Sequence, residues 1–209
     1  MKLAVFGATG NVGSALVPAA LTAGHTLHVL CRDPSKLPAQ PQAVMLINGN
    51  ALDPDMVAKT VIGCDAVLST LGGLRDTDSI RIGTHHILTA MRHQGIRRLV
   101  VMQGFHLHMP HDPNNLGKKL VRPLMRAASL TLLADSQAMA DQLLATTDID
   151  WTLVRAPRVR VAPATGRVRT GDLKLGPWSS VTNSDVAAMM LHCLDDPATT
   201  GTAPMIASR

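Results

Sequence analysis

The stretch Val5–Gly13, VFGATGNVG, decides how this chain is read. An apolar run, KLAVF, leads into it, and VGSALVPAALTAG leads out with Val12, Leu16, Ala19, Ala20 and Ala23 at helical spacing. Gly7, Gly10 and Gly13 therefore stand where a strand hands over to a helix. A plain turn does not need three glycines. In this context the first permits the tight turn, the second lets the backbone lie against a ligand, and the third lets the helix approach the strand. The ligand such a loop accommodates is a pyrophosphate, held by the amides and positive dipole end of the helix. The pattern predicts a dinucleotide site.

The rest of the chain repeats the alternation. HTLHVLCR, AVMLIN, DAVLST, RRLVVM, DWTLVR and APMIAS read as further strands. DPDMVAKTVIG, TDSIRIGTHHILTAMRHQG, SLTLLADSQAMADQLLAT and TNSDVAAMMLHCL read as helices, with Ile80, Ile87 and Met91 facing inward on the second of these. Pro18 is a local conflict inside the first helix and predicts a kink. Buried strands alternating with helices imply an α/β fold, a doubly wound parallel sheet of the Rossmann type. Residues 1–209 read as one domain. Its irregular region at about 157–183, rich in Pro, Gly and Arg, is expected to form a small C-terminal substrate lobe over the cleft.

Strand ends in such a sheet carry the ligand. The second strand ends VLCRDPSK, so Arg32 comes first, with Ser35 and Lys36 close behind. An acid there holds ribose hydroxyls, whereas a guanidinium pairs with a 2′-phosphate. Asp33 argues for the former, and the basic residues on either side of it tip the balance to NADP(H). Asn50, Ala51 and Leu52 after the third strand are expected to frame the adenine. Ser69, Thr70, Leu71, Gly72 and Gly73 after the fourth run past the middle of the cofactor.

Composition narrows the remaining classes. The net charge of +5 invites nucleic acid, yet aromatics are only 2% and tyrosine is absent, so stacking platforms for single strands are nearly missing. An anionic small molecule suits the basic surface equally well. No apolar run is long enough to span a bilayer, and the N-terminus lacks a signal-peptide core. Cys31, Cys64 and Cys193 are widely spaced and read as buried free thiols of a cytoplasmic protein. Monomer and homodimer both remain open.

Taken together, GATGNVG, CRDPSKL, GCDAVLSTLG, GTHHILTAMRHQGIRRLVVM, DWTLVRAPRV and SDVAAMMLHCL resemble the atypical short-chain dehydrogenase/reductase group that contains biliverdin-IXβ (flavin) reductase and the NmrA-like proteins. The resemblance runs along nearly the whole chain and is weakest between His106 and Leu130. It implies that Gly7, Thr9, Gly10, Asn11 and Val12 hold the pyrophosphate and that Arg32 meets the 2′-phosphate. It also implies that Pro157, Arg158 and Val159 lie along the carboxamide side of the nicotinamide. The implied activity is hydride transfer from NADPH to a small planar acceptor such as a flavin (FMN among them), a quinone or a tetrapyrrole. A non-catalytic NADP(H)-sensing regulator of NmrA type is the alternative.

The departures from the group are specific. Without tyrosine, the usual tyrosine acid–base is excluded. Where the reductases have a serine after strand five and a histidine after the proline of strand six, this chain has Gln103 and Arg158. A glutamine amide orients a carbonyl but moves no proton near neutral pH. Arg158 can bind an anionic group or stabilise developing negative charge, unless it pairs with a cofactor phosphate or an acid such as Asp172. Of His106, His108 and His111 in QGFHLHMPH, His106 is the chosen proton donor, and a metal site is not expected. Lys118, Lys119, Arg122 and Arg126 read as a solvated basic face. Asp135 and Asp141 fit an ordinary amphipathic helix, and Ser136 has no activating base in view.

Overall fold

The structure, a computed structural model, describes residues 1–37, 42–72, 78–110, 112 and 130–209. Gly73, His111, Lys118, Lys119, Arg122 and Arg126 lie outside the described residues. Ten strands are found among those described: β1 (Lys2–Phe6), β2 (Thr26–Cys31), β3 (Val44–Asn48), β4 (Ala66–Ser69), β5 (Arg98–Gly104), β6 (Asp150–Ala156), β7 (Arg158–Arg160), β8 (Val168–Gly171), β9 (Ser180–Thr182) and β10 (Met205–Ser208). The helices are α1 (Gly13–Thr22), α2 (Pro54–Val61), α3 (Ser79–Gln94), α4 (Leu130–Leu144) and α5 (Asn183–Asp195).

Eight strands form one sheet in the order β3-β2-β1-β4-β5-β6-β10-β8. Strand order reverses beside β1, the switch point at which a doubly wound sheet opens a crevice. Alternation along β1 sets the layers. Leu3 and Val5 pack with Leu16, Val17 and Ala20 of α1 and with Val186, Ala187 and Met190 of α5. Ala4 and Phe6 face α2, α3 and α4 through Val57, Ile80, Ile87, Met91, Met139 and Leu143. Both faces are apolar because helices cover both, as an all-parallel core requires.

The helix α1 runs through Pro18 to Thr22, with Leu16, Val17 and Ala20 all buried. Packing of that face against β1 outweighs the loss of one helical hydrogen bond. The region after β6, expected to be irregular, holds three short strands. β7 and β9 pair in parallel as a separate ribbon, while β8 joins the main sheet antiparallel to β10, its one antiparallel edge among the described residues. Three- and four-residue strands carrying Arg158, Arg160 and Arg169 show too little apolar periodicity to be read from sequence.

Arg98, half-buried on β5, ties the far end together. It donates to Asp150 O at 2.6 Å, to Thr152 Oγ1 at 2.8 Å and to Thr199 Oγ1 at 3.0 Å, and it also donates to Cys193 O in the last turn of α5. At the opposite end of α5, Thr182 is the N-cap and Asp185 its reciprocal partner. The buried Asp185 carboxylate also accepts from Thr165 N and Gly166 N at 3.0 Å and from Thr165 Oγ1 at 2.8 Å. Burial opposes its ionisation, but hydrogen bonds from Thr182, Gly166 and Thr165 outweigh it and hold the carboxyl below its usual range. A depressed folded-state value stabilises the fold above the unfolded value of about 3.9, and that stability fades as pH falls through the lower folded value. Asp185→Asn is therefore expected to cost about 1.5–3 kcal/mol at pH 7 and to flatten the acid limb of a Tm–pH profile. An unaltered Tm at pH 7 would show that the network contributes no net stability.

Candidate functional site

The glycine loop closes on β4. Gly7 has φ +79°, and a Cβ there would stand 2.6 Å from Thr70 O. Its carbonyl accepts from Gly10 N at 3.0 Å and from Thr70 Oγ1 at 3.0 Å. A Cβ on Gly13 would collide with that same Gly7 oxygen. The roles assigned to the first and third glycines are thus met by backbone crowding that only glycine tolerates. Val12, buried among the α1 side chains, caps the helix without a side-chain hydrogen bond, and Ser14 N and Ala15 N donate instead to Gly10 O at 2.9 Å and Val12 O at 3.0 Å.

Beside this loop lies a cavity of about 410 Å³ at the carboxyl ends of β1, β2 and β4. It gathers most of the sequence-predicted cofactor residues: Gly7, Thr9 and Gly10 on one side, Asn50, Ala51 and Leu52 on another, and Thr70, Leu71 and Gly72 along the β4 turn. Arg32 and Lys36 complete the wall below β2. Ser79, at the start of α3, also lines it and was not foreseen. The Asn50 amide serves its own loop, Oδ1 accepting from Leu52 N at 3.2 Å.

Asp33, the acid that the sequence set against the basic residues, is engaged within its own turn. Its carboxylate accepts from Ser35 Oγ at 2.6 Å and Ser35 N at 3.1 Å, and Lys36 Nζ lies 3.6 Å away. The Ser35 hydrogen bonds hold this carboxyl below its ordinary value. Asp33 caps the 3-10 turn Pro34–Lys36, and Asp33 is absent from the cavity wall while Arg32 and Lys36 belong to it.

Other predicted residues fall outside the wall. Ser69 is buried at the end of β4. Asn11 donates from Nδ2 to Val159 O at 3.4 Å, and Asn183 Nδ2 donates to Asn11 O at 3.0 Å, so both flank the loop from the β7–β9 side. Gln103 is buried, its Nε2 donating to Leu71 O at 2.9 Å and its Oε1 accepting from Gly104 N at 3.4 Å. The amide holds the β4 turn. His106 is buried with its ring against Gly104, His108 is exposed, and Pro157 is buried where β6 passes into β7. Arg158 opens β7 with an exposed side chain, and among the described residues it forms no ion pair with Asp172.

Three supporting residues escaped the sequence reading. Asp135 of α4 caps α3, accepting from Ile80 N at 3.1 Å and Arg81 N at 3.2 Å, so it fixes the helix that carries Ser79. Arg155, 1% exposed on β6, meets Asp112 at 2.7 Å and donates to Ala203 O at 2.8 Å, fastening the segment after β5 to the sheet. Asn183 braces the glycine loop and accepts from Ala162 N at 3.2 Å. A lone arginine inside the apolar WTLVRAP was a legible signal for Arg155, whereas Asp135 and Asn183 sit at unremarkable helical positions.

This arrangement is that of a nicotinamide-dinucleotide protein, and comparison with known families agrees. Residues 7–197 match the family model described as NAD(P)H-binding, and the chain belongs to that family. It is 34% identical over 113 residues to a 3 beta-hydroxysteroid dehydrogenase/Delta 5→4-isomerase of Mycobacterium tuberculosis, covering 47% of this chain and 30% of that protein. It is 30% identical over 192 residues to a 3-diazoavenalumate denitrifying reductase of a Streptomyces species, covering 84% of this chain and 61% of that one. The chain thus spans less than two thirds of the length of either relative. An anaerobillin reductase of Escherichia coli O157:H7 shares the fold with a TM-score of 0.81 at 19% identity, covering 100% of this chain and 97% of that chain. No described helix is long and apolar enough to cross a membrane.

Gly13→Ala tests the crowding directly. The added methyl must displace the Gly7 carbonyl from Gly10 N and Thr70 Oγ1. The variant is expected to unfold at lower temperature and to bind NAD(P)H at least about tenfold more weakly, a loss of about 1.4 kcal/mol. Unchanged calorimetric Tm and unchanged affinity would show that the loop yields without cost.

Proposed function

We propose that the chain is a reductase that binds NADPH and passes hydride to a small, planar, anionic acceptor such as a flavin, a quinone or a tetrapyrrole-like molecule. The observation that carries this reading is the division of labour in the cavity wall. Glycine backbone crowds one side, and Arg32 with Lys36 stands on another while Asp33 is occupied by Ser35. The fit is physical: the loop leaves no room for a Cβ at Gly7 or Gly13, and the basic pair answers a 2′-phosphate better than a ribose diol. Bound there, NADPH supplies the two electrons and one proton of a hydride.

The residues have separable tasks. Gly7, Thr9 and Gly10, with the first amides of α1 after Asn11 and Val12, receive the pyrophosphate. Ala51, Leu52, Thr70, Leu71 and Gly72 line the path of the dinucleotide, Asn50 shapes the backbone beside it through Leu52 N, and Ser69 is buried at the end of β4 next to Thr70. Gln103 keeps the β4 turn in place through Leu71 O. Pro157 fixes the direction of the chain beyond β6, so that Arg158 offers a guanidinium at the carboxyl edge for the anionic acceptor. His106, just past β5, holds the proton that a reduced acceptor takes up. The dehydrogenase and reductase relatives support an oxidoreductase. The engaged Gln103 amide and the missing tyrosine instead favour an NADP(H)-sensing regulator, and turnover separates the two.

NADPH is expected to bind more tightly than NADH, and Arg32→Ala should narrow the gap by about 1.5–3 kcal/mol, the size of a charge-assisted hydrogen bond. Equal calorimetric affinities in the parent protein would refute the phosphate selection. NADPH oxidation with FMN, riboflavin and simple quinones should proceed, and Arg158→Met should slow it by about tenfold or more with NADPH affinity nearly unchanged. Binding of NADPH without oxidation by any of these acceptors would favour the regulator.

A further inference from the structure

The chain has four aromatic residues other than histidine, two Trp and two Phe. Phe6, Phe105 and Trp151 are buried, while Trp178 is 93% exposed. An indole is among the most rewarding side chains to bury, and this one contributes almost nothing to the core.

Its position is defined from both sides. Four residues span a closed turn around it, with Ser179 N donating to Gly176 O at 3.1 Å and Gly176 N donating to Ser179 Oγ at 3.0 Å. Pro177 restricts the backbone immediately before it. On one flank Leu175 is buried against Phe105, Met205 and Ala207, and Phe105 N donates to Ala156 O at the ends of β5 and β6. On the other flank Ser180 is the register partner of Arg158. The exposed ring is therefore carried on a fixed turn at the carboxyl edge of β5 and β6, beyond Gln103 and away from Arg32. Arg158 and Arg160, exposed at alternate positions of β7, put two cations on the same side of that ribbon.

We propose that Trp178 is the stacking platform of the acceptor site, binding the flat face of an aromatic anion whose charge Arg158 meets. This rests on the reductase reading and narrows it: acceptors with an extended π-face and an anionic substituent are selected over compact ones. A face-on indole is indifferent to ring substitution and suits flavin and quinone equally, while the guanidinium supplies the charge preference.

Tryptophan fluorescence provides the test, because the exposed Trp178 and the buried Trp151, whose Nε1 donates to Thr146 O, emit from different environments. With NADP⁺ present to prevent turnover, anthraquinone-2-sulfonate is expected to quench the long-wavelength emission saturably. Measured by calorimetry, which does not need the indole, Trp178→Leu should weaken binding of this probe by about tenfold or more, Trp178→Phe should restore it to within about threefold, and NADPH affinity should stay constant in both. Quenching in the parent without any NADPH oxidation would overturn the reductase reading and leave the platform standing. Oxidation of NADPH by the probe with the same KM in the parent and Trp178→Leu would overturn the platform and leave the reductase standing. Loss of NADPH affinity in Trp178→Leu, or a change only in its sedimentation mass, would also overturn the proposal by assigning the ring to the cofactor or to a second copy of the chain.

Discussion

The carbonyl of Gly7 is the point on which the architecture turns. It accepts from Gly10 N and from Thr70 Oγ1, and it lies where a Cβ of Gly13 would have to go. One oxygen thus fixes the loop after β1, the seam between β1 and β4, and the distance of α1 from the sheet. The crevice beside β1 exists because these backbones approach without side chains between them. A methyl at Gly7 would press on Thr70 and one at Gly13 on Gly7 and Ala8. Binding and folding are consequently not independent here, since the same crowding that shapes the cradle also seats α1 over Leu3 and Val5.

Much of this was legible because its signals are local. Strands β1 to β6 and β10 announce themselves as apolar runs, and the glycine spacing marks the switch point. Arg32 before Asp33 contained a real ambiguity, since both could reach a ribose. What the structure adds is a short-range hydrogen bond from Ser35 Oγ to Asp33 Oδ1, a turn-forming contact that sequence permits but does not compel. The parts that stayed hidden depend on residues far apart in sequence. Asp135 caps a helix that begins more than fifty residues earlier, with Ile80 N and Arg81 N as donors. Arg155 finds Asp112 across 43 positions. Strands β7, β8 and β9 hide for another reason: they are short and rich in arginine, so partner strands rather than periodicity hold them.

The late segment is fastened to the cofactor loop more firmly than its composition suggests. Asn183, first residue of α5, donates to Asn11 O and accepts from Ala162 N, while Asn11 Nδ2 reaches Val159 O. Two residues on, Asp185 collects Thr165, Gly166 and Thr182. The N-terminus of α5 is therefore a junction at which the β7–β9 ribbon, the segment before β8 and the glycine loop meet through buried polar groups. Such groups are costly when unpaired and rigid when satisfied. The consequence is mechanical: the ribbon bearing Arg158 is referenced to the loop proposed to hold the pyrophosphate, so the distance between that loop and the proposed acceptor site is set by side-chain hydrogen bonds rather than by a flexible linker. A hydride donor and its acceptor react efficiently only when held within a narrow range of separations. A polar junction between the glycine loop and the β7–β9 ribbon is the kind of constraint that would keep that separation fixed while leaving Arg158 and Arg160 open to solvent.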